Sequence, residues 1–157
     1  MENQNISFVV GNQKFNFRVA GFITNGNKVL LEKTFDFWSL PGGRVQMGEG
    51  SLEAMKREIK EEMQVSPKSC ELIKVCENFF KWNGNNQQEM LFIYRINFDD
   101  ASEIYKKESF TCADSPNEVF TWHDIEEVKN LKCLPEIIYD LVKDENQNIE
   151  HIINEDK

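Results

Sequence analysis

Long apolar runs, histidines and paired cysteines are what this 157-residue chain has least of. No apolar stretch approaches the roughly 20 residues of a membrane span, so no membrane partner is expected. The opening, MENQNISFVV, lacks the basic start and long apolar segment of a secretory signal. The four cysteines, Cys70, Cys76, Cys112 and Cys133, show no CxxC spacing, and there are only two histidines. A zinc site built from such ligands is not expected, and scattered reduced thiols agree with a cytoplasmic location. Basic residues are scarce too: 18 Lys and Arg stand against 27 Asp and Glu, for a formal net charge of -9. Without a basic surface to displace counterions, duplex nucleic acid is not an expected partner. A small molecule bearing phosphates is still admitted if divalent cations mediate its contact with the acids.

What is present is a 40% hydrophobic, 29% charged chain, ordinary for one globular domain of this size. The segments ISFVV and KFNFRVAGFIT read as strands around a GNQ turn, and NGNK as a hairpin turn into KVLLEK. CELIKVCENFF and EMLFIYRINF read as an antiparallel pair joined by a polar loop, KWNGNNQQ. Residues 99–116 read as irregular, EVFTW as a short strand, and CLPEIIYDLVKD as a helix with Pro135 in its first turn. Residues 1–144 are expected to form the domain and 145–157 a polar tail. Ile149, Ile152 and Ile153 there would give one weak helical stripe. Mixed strands with two helices in this order predict an α/β or α+β sandwich.

One stretch stands apart. GGRVQMGEGSLEAMKREIKEEMQV occupies residues 42–65. Ser51–Gln64 has helical composition, with Ser51 placed to cap its N-terminus. On a helical wheel Leu52, Met55, Ile59 and Met63 form an apolar stripe. Glu58, Glu61 and Glu62 share the adjoining sector, with Arg57 at its border and Ala54 leaving room among them. Three like charges on adjacent turns repel. A solvated face paired with lysines is the plain reading, yet Lys56 and Lys60 point elsewhere. Hard oxygen ligands clustered at the margin of an apolar face, behind a Gly-Gly loop with carbonyls to offer, suit magnesium or manganese. Arg57 can hold one of the neighbouring carboxylates in place.

The spacing resembles the Nudix box, Gly-x5-Glu-x7-Arg-Glu-U-x-Glu-Glu-x-Gly-U with U aliphatic. It runs here from Gly43 through Glu49, Arg57, Glu58, Ile59, Glu61 and Glu62 to Val65, with Gln64 at the last glycine position. RVAGFITNGNKVLLEKTFDFWSLPGG and EVFTWHDIEEVKNLKCLP are similar to the segments flanking that box, so the resemblance spans roughly residues 17–142. It implies a MutT-like Nudix hydrolase with an α/β/α sandwich around a mixed sheet. It further implies hydrolysis of a nucleoside diphosphate linked to another moiety, with Mg2+ or Mn2+ as cofactor. Carried onto these residues, Glu58, Glu61 and Glu62 become metal ligands together with the carbonyl of Gly42. Arg57 orients a carboxylate, and Glu49 positions a group or a water nearby. Gln64 would take a left-handed backbone at a cost of about 1 kcal/mol.

Outside the box, Glu89 follows the polar NGNNQQ loop and is a candidate general base, against the reading of an exposed strand-end acid. Arg44, Trp38 and Phe80 are candidate substrate contacts, with Phe37, Phe79 and Trp82 as further aromatics near the expected cleft. The proline of ADP-ribose hydrolases, the tyrosine of diadenosine polyphosphate hydrolases and a coenzyme A signature are all absent. A nucleoside triphosphate, a nucleotide sugar and ADP-ribose therefore stay open as substrates. A catalytically silent, nucleotide-binding Nudix domain is the competing reading, against which the complete acid set argues. A prenyl-diphosphate isomerase on this fold would need histidines the chain does not supply. A homodimer is compatible with the sequence.

Overall fold

A computed structural model describes residues 4–143 and 148–155. The strands are β1 (Ser7–Val10), β2 (Gln13–Phe22), β3 (Thr24–Asn25), β4 (Lys28–Thr34), β5 (Phe37–Ser39) and β6 (Gly42–Arg44). After helix α1 (Ser51–Met63) come β7 (Ser69–Trp82), β8 (Asn85–Asn97), β9 (Ser109–Cys112), β10 (Ser115–Asp124), helix α2 (Ile137–Leu141) and β11 (Glu150–Glu155).

Two sheets result. The larger has the order β1-β2-β8-β7-β11, with β6 also paired to β2; the smaller has the order β3-β4-β10-β9, with β5 on β4. The larger sheet is mixed, because β2 runs parallel to β8 and β11 parallel to β7. Alternation along β2 sends successive side chains to opposite faces. Val19 joins a core with Ala54, Met55 and Ile59 of α1, while Ala20 joins a core with Ile137, Ile138 and Leu141 of α2. One helix thus covers each side, and the expected α/β/α layering is present.

Several local expectations change. The KWNGNNQQ segment is not a loop: β7 and β8 run straight through it and turn only at Asn83 and Gly84, with φ of 51° and 79°. Two adjacent positive φ values make the tight turn that Asn-Gly favours in a hairpin. The 99–116 segment contains β9 and a short 3-10 turn at Glu103–Tyr105. The second helix shortens to five residues beginning beyond Pro135. The helical stripe expected around Ile152 and Ile153 is instead strand β11. Ile152 packs on the α2-side core, and pairing with β7 satisfies backbone groups that a short isolated helix would leave open. Residues 144–147, including the expected boundary at 144, lie outside the described residues. Among the described residues no helix is long and apolar enough to cross a membrane.

Candidate active site

Helix α1 follows β6 after the connection 45–50, which folds the acidic helix face back beside the Gly-Gly segment. Met55, Ile59 and Met63 are buried as the apolar stripe requires, but Leu52 is exposed and Ala54 and Glu62 are buried in its place. The buried sector is therefore rotated toward the carboxylates. Ser51 does not cap the helix; its hydroxyl meets the Tyr94 hydroxyl at 2.6 Å, and Gly50 holds the cap position without a side-chain bond. At the other end Gln64 is left-handed, φ 61° and ψ 23°, as expected from the box glycine it replaces.

Arg57 is the hub of the site. It forms a two-pronged pair with Glu49, Nε donating to Oε2 at 3.0 Å and Nη2 to Oε1 at 2.7 Å. Nη1 donates to Glu58 Oε1 at 2.9 Å and to Glu61 Oε2 at 3.1 Å, and Nη2 also donates to the Arg44 carbonyl at 2.9 Å. One guanidinium thus fixes three carboxylates and the strand before the helix. Glu49 is locked further by the Gln46 backbone N–H at 2.8 Å. Its carboxyl is held below the usual range first by Arg57, while Glu49 in turn pushes Arg57 upward.

The two glycines of the box approach have separate reasons. A Cβ on Gly42 would run into the Val19 carbonyl on the neighbouring strand, and a Cβ on Gly43 would run into the Glu58 carboxyl. Only glycine lets that carboxylate lie against the chain.

Glu62 is different in kind. It is 5% exposed, and its Oε2 is buried without a hydrogen-bond partner. Burial first, then the charge of Glu32 and the neighbouring Glu58 and Asp114, push its pKa up to about 10. Glu32, on β4, is pushed up to about 9 by burial and by hydrogen bonding with Glu118 of β10, while Arg18 pulls it down. The β9–β10 turn is tied to the helix through Ala113 N–H to the Glu62 carbonyl at 2.8 Å, and Cys112 Sγ donates to Asp114 Oδ1 at 3.0 Å. Burial also raises the Cys112 thiol.

Sequence reasoning missed Glu32, Glu118 and Asp114. A trace was there for Glu32: Val29, Leu30 and Leu31 are all buried, and the apolar run of KVLLEK continues without alternation into a glutamate. Glu118 and Asp114 reach the site only through the β4–β10 and β9–β10 pairings, which no local pattern announces.

The donor set fits a hard divalent cation. Its oxygens are carboxylates, one is buried and unpartnered, and burial first, then neighbouring acids, push Glu62 and the nearby Glu32 upward. Among the described residues no three acidic, histidine or cysteine side chains are grouped closely enough to form a finished metal cage. Arg57 accounts for that, since it draws Glu58 and Glu61 toward itself while Glu62 stays buried.

The other expected residues fall elsewhere. Glu89 sits inside β8, opposite Asn16 and Asn78, rather than at a strand end beside a mobile loop. It lies 3.9 Å from Arg18 Nε and accepts from Asn78 Nδ2 at 3.3 Å. Trp38 pairs with Lys33, next to Glu32 on β4, so alternation turns it to the opposite face from Glu32. There it packs edge-on against His123, centroids 4.3 Å apart, under the Lys33 ammonium. Phe80 is half-buried on β7 opposite Gln87. Arg44 pairs with Arg18 across β6 and β2, and its Nε is buried with no partner among the described residues. A cavity of about 490 Å³ opens among Phe8, Val10, Phe15 and Phe79, with Lys14, Asn86 and Gln88 also in its lining, and contains none of the acids.

Comparison with known proteins agrees with this architecture. The NUDIX domain family model matches residues 14–144. An RNA pyrophosphohydrolase from Pelagibacter ubique (strain HTCC1062) is 27% identical over 149 residues, covering 84% of this chain and 89% of that protein. A MutT protein from Bacillus halodurans superposes with a TM-score of 0.67 at 19% identity, covering 88% of this chain and 89% of that one. A NUDIX hydrolase from Nitrosomonas europaea does so with a TM-score of 0.61 at 20% identity, covering 90% and 79%. At these identities the two structures show the fold.

Proposed function

The chain belongs to the Nudix family and is a phosphoanhydride-cleaving hydrolase, and from that premise we propose a Mg2+- or Mn2+-dependent enzyme acting on free nucleotide derivatives in the cytoplasm. Glu58, Glu61, Glu62 and the Gly42 carbonyl would hold the cation. Bound there, a cation would supply positive charge against the phosphates and would lower the pKa of a water in the site. The residues of the chain do the positioning. Arg57 keeps Glu58 and Glu61 in fixed rotamers, Glu49 anchors Arg57, and Gly43 lets Glu58 lie against the backbone. Arg44, with a buried and unspent Nε–H, is available to a phosphate oxygen. Phe80 faces the substrate from β7, whereas the orientation of Trp38 favours a packing role.

The observation that carries this reading is the unpartnered, buried Oε2 of Glu62 among Glu58, Glu32 and Asp114. A carboxylate oxygen so placed costs free energy until a cation meets it. The Pelagibacter relative is named for RNA; the net charge of -9 here supports a free nucleotide over a polyanionic RNA. The test is phosphate release over a set of nucleotide derivatives with magnesium, with manganese and with chelator. Turnover should need the cation, and Glu62→Gln should lower it roughly a hundred-fold or more while the fold is kept. Full activity in excess chelator would overturn the proposal. Nucleotide-induced thermal stabilisation without product would mark a silent binding domain instead.

A further inference from the structure

A single rung of polar side chains crosses the larger sheet. Ser7 of β1 pairs with Asn16 of β2, Asn16 with Glu89 of β8, Glu89 with Asn78 of β7, and Asn78 with Asn154 of β11. Paired residues share a face, so all five project on the same side. Asn16 and Asn78 are 4% and 2% exposed, and buried amides are costly unless their hydrogen bonds are made. At its ends the rung makes them: Ser7 Oγ donates to Asn16 Oδ1 and Asn154 Nδ2 to Asn78 Oδ1, both at 2.7 Å.

The middle is underspent. Among the described residues the two oxygens of Glu89 meet only Asn78 Nδ2 at 3.3 Å and Arg18 Nε at 3.9 Å, both longer than the 2.7–2.9 Å or so of a good charge-assisted bond. One position nearer the hairpin turn on the same face, Gln87 is buried and makes no side-chain hydrogen bond among the described residues. The Glu89 side chain is 13% exposed, so a carboxylate held this loosely between amides is open to further donors. A ligand presenting adjacent N–H donors matches its two oxygens.

We propose that this rung is the seat of the substrate's nucleobase, and that Glu89 selects a guanine-type base by accepting from its adjacent N1–H and N2–H donors. The proposal rests on the nucleotide-hydrolase reading above and assigns Glu89 to recognition instead of water activation. Three observations join the rung to the acids and to a stacking surface. Arg18 shares the rung's face two residues from Asn16, and its charge acts on Glu32 of the acid cluster. Arg18 in turn pairs with Arg44 of β6, two residues from Gly42, so the path from the rung along β2 leads to the box. Phe80 and Trp82 follow Asn78 at alternate positions of β7, so they share its face. Phe35 and Phe37 reach Trp82 from the β4–β5 turn, with ring centroids 5.6 and 5.8 Å away. Phe35 is 77% exposed and holds a left-handed φ of 54°, a local cost more at home at a binding site than in an idle turn.

The deciding experiment compares steady-state hydrolysis of GTP and ITP, which differ by the N2 amino group, by the wild type and by Glu89→Gln. The wild type should favour GTP in kcat/KM by about ten- to a hundred-fold, the range for a hydrogen bond to a charged group. Glu89→Gln should raise KM for GTP by a similar factor, leave kcat within a few-fold, and erase the GTP/ITP difference. Trp82→Ala should raise KM for both nucleotides alike. Equal handling of GTP and ITP by the wild type overturns the assignment and needs no variant to fold. A fall in kcat at unchanged KM in Glu89→Gln also overturns it and returns Glu89 to proton transfer. If neither nucleotide is hydrolysed, the reacting group is another nucleotide derivative, and thermal stabilisation by GTP over ITP still decides the base site, equal stabilisation overturning it.

Discussion

Arg57 grips Glu49 through two parallel bonds, 3.0 and 2.7 Å, and the same guanidinium holds Glu58 and Glu61 from its other nitrogen. Four acceptors converge on one planar cation if the Arg44 carbonyl is counted with the three carboxylates. An ammonium has neither the reach nor the fork to serve them together. Arg57→Lys should therefore keep a folded protein but lower kcat by roughly a hundred-fold, the effect of misplacing a group by about 1 Å. Steady-state kinetics checks this. Activity within threefold of wild type would show that the hub is ornamental.

Gly43→Ala places a methyl where the Glu58 carboxyl now lies. The carboxylate must move, and the strand before the helix with it. Turnover should fall by at least about ten-fold, with the half-maximal concentration of divalent cation rising in parallel. A metal titration of activity separates this from simple unfolding, which would lower the maximum without shifting the midpoint.

Gln64→Gly relieves the left-handed backbone at φ 61° but gives up two weak side-chain bonds from Nε2 to the Lys60 and Glu61 carbonyls at 3.4 and 3.3 Å. The backbone effect is the larger, up to about 1 kcal/mol. A rise of no more than about 2–4 °C in melting temperature follows, with turnover unchanged. Calorimetry reads the first and an activity assay the second; a lowered melting temperature would mean that the side-chain cap outweighs the strain.

The metal-free protein should lose stability as pH rises. Glu32 and Glu62 have folded pKa values of about 9 and about 10, above the ordinary 4.5, so the native state holds protons that the unfolded chain has released. Their stabilisation is complete below about 4.5 and disappears as pH climbs toward 9–10. His123 acts in a different window: burial lowers its pKa from 6.5, so stability is lost as pH falls from 6.5 toward that lower value. In chelator, melting at pH 9 should lie below melting at pH 7. Divalent cation should close the gap, and Glu32→Gln should shrink it. Equal melting temperatures in chelator at the two pH values would refute the account.

Much of the site was legible because the box is local. Glu49, Arg57, Glu58, Glu61 and Glu62 sit within one loop and one helix; helical spacing groups the last four, and the turn at Gln46–Glu49 brings Glu49 to Arg57. What stayed hidden depended on pairing between distant strands. Glu32 and Glu118 meet through β4 and β10, and Asn16, Glu89 and Asn78 through β2, β8 and β7. The polar composition of KWNGNNQQ suggested a loop because polar residues normally mark solvent; here Gln87 is buried in a strand. Leu52 is exposed and Glu62 buried because the face of α1 that packs on the sheet centres on Ala54, Met55 and Ile59, a rotation that the apolar stripe alone does not reveal.

Strand β11 has a further consequence, in the time order of synthesis. Lys74 of β7 and Glu150 of β11, joined at 3.1 Å, are 76 residues apart in the chain. At about 5–20 residues per second, a nascent β7 emerges from the ribosome roughly 4–15 seconds before its parallel neighbour exists. Through that interval its outer backbone groups have no strand to pair with, and the larger sheet is open on that side. Slow stretches of translation between the two strands should prolong this window and favour capture by chaperones, whereas a chain released whole meets no such delay.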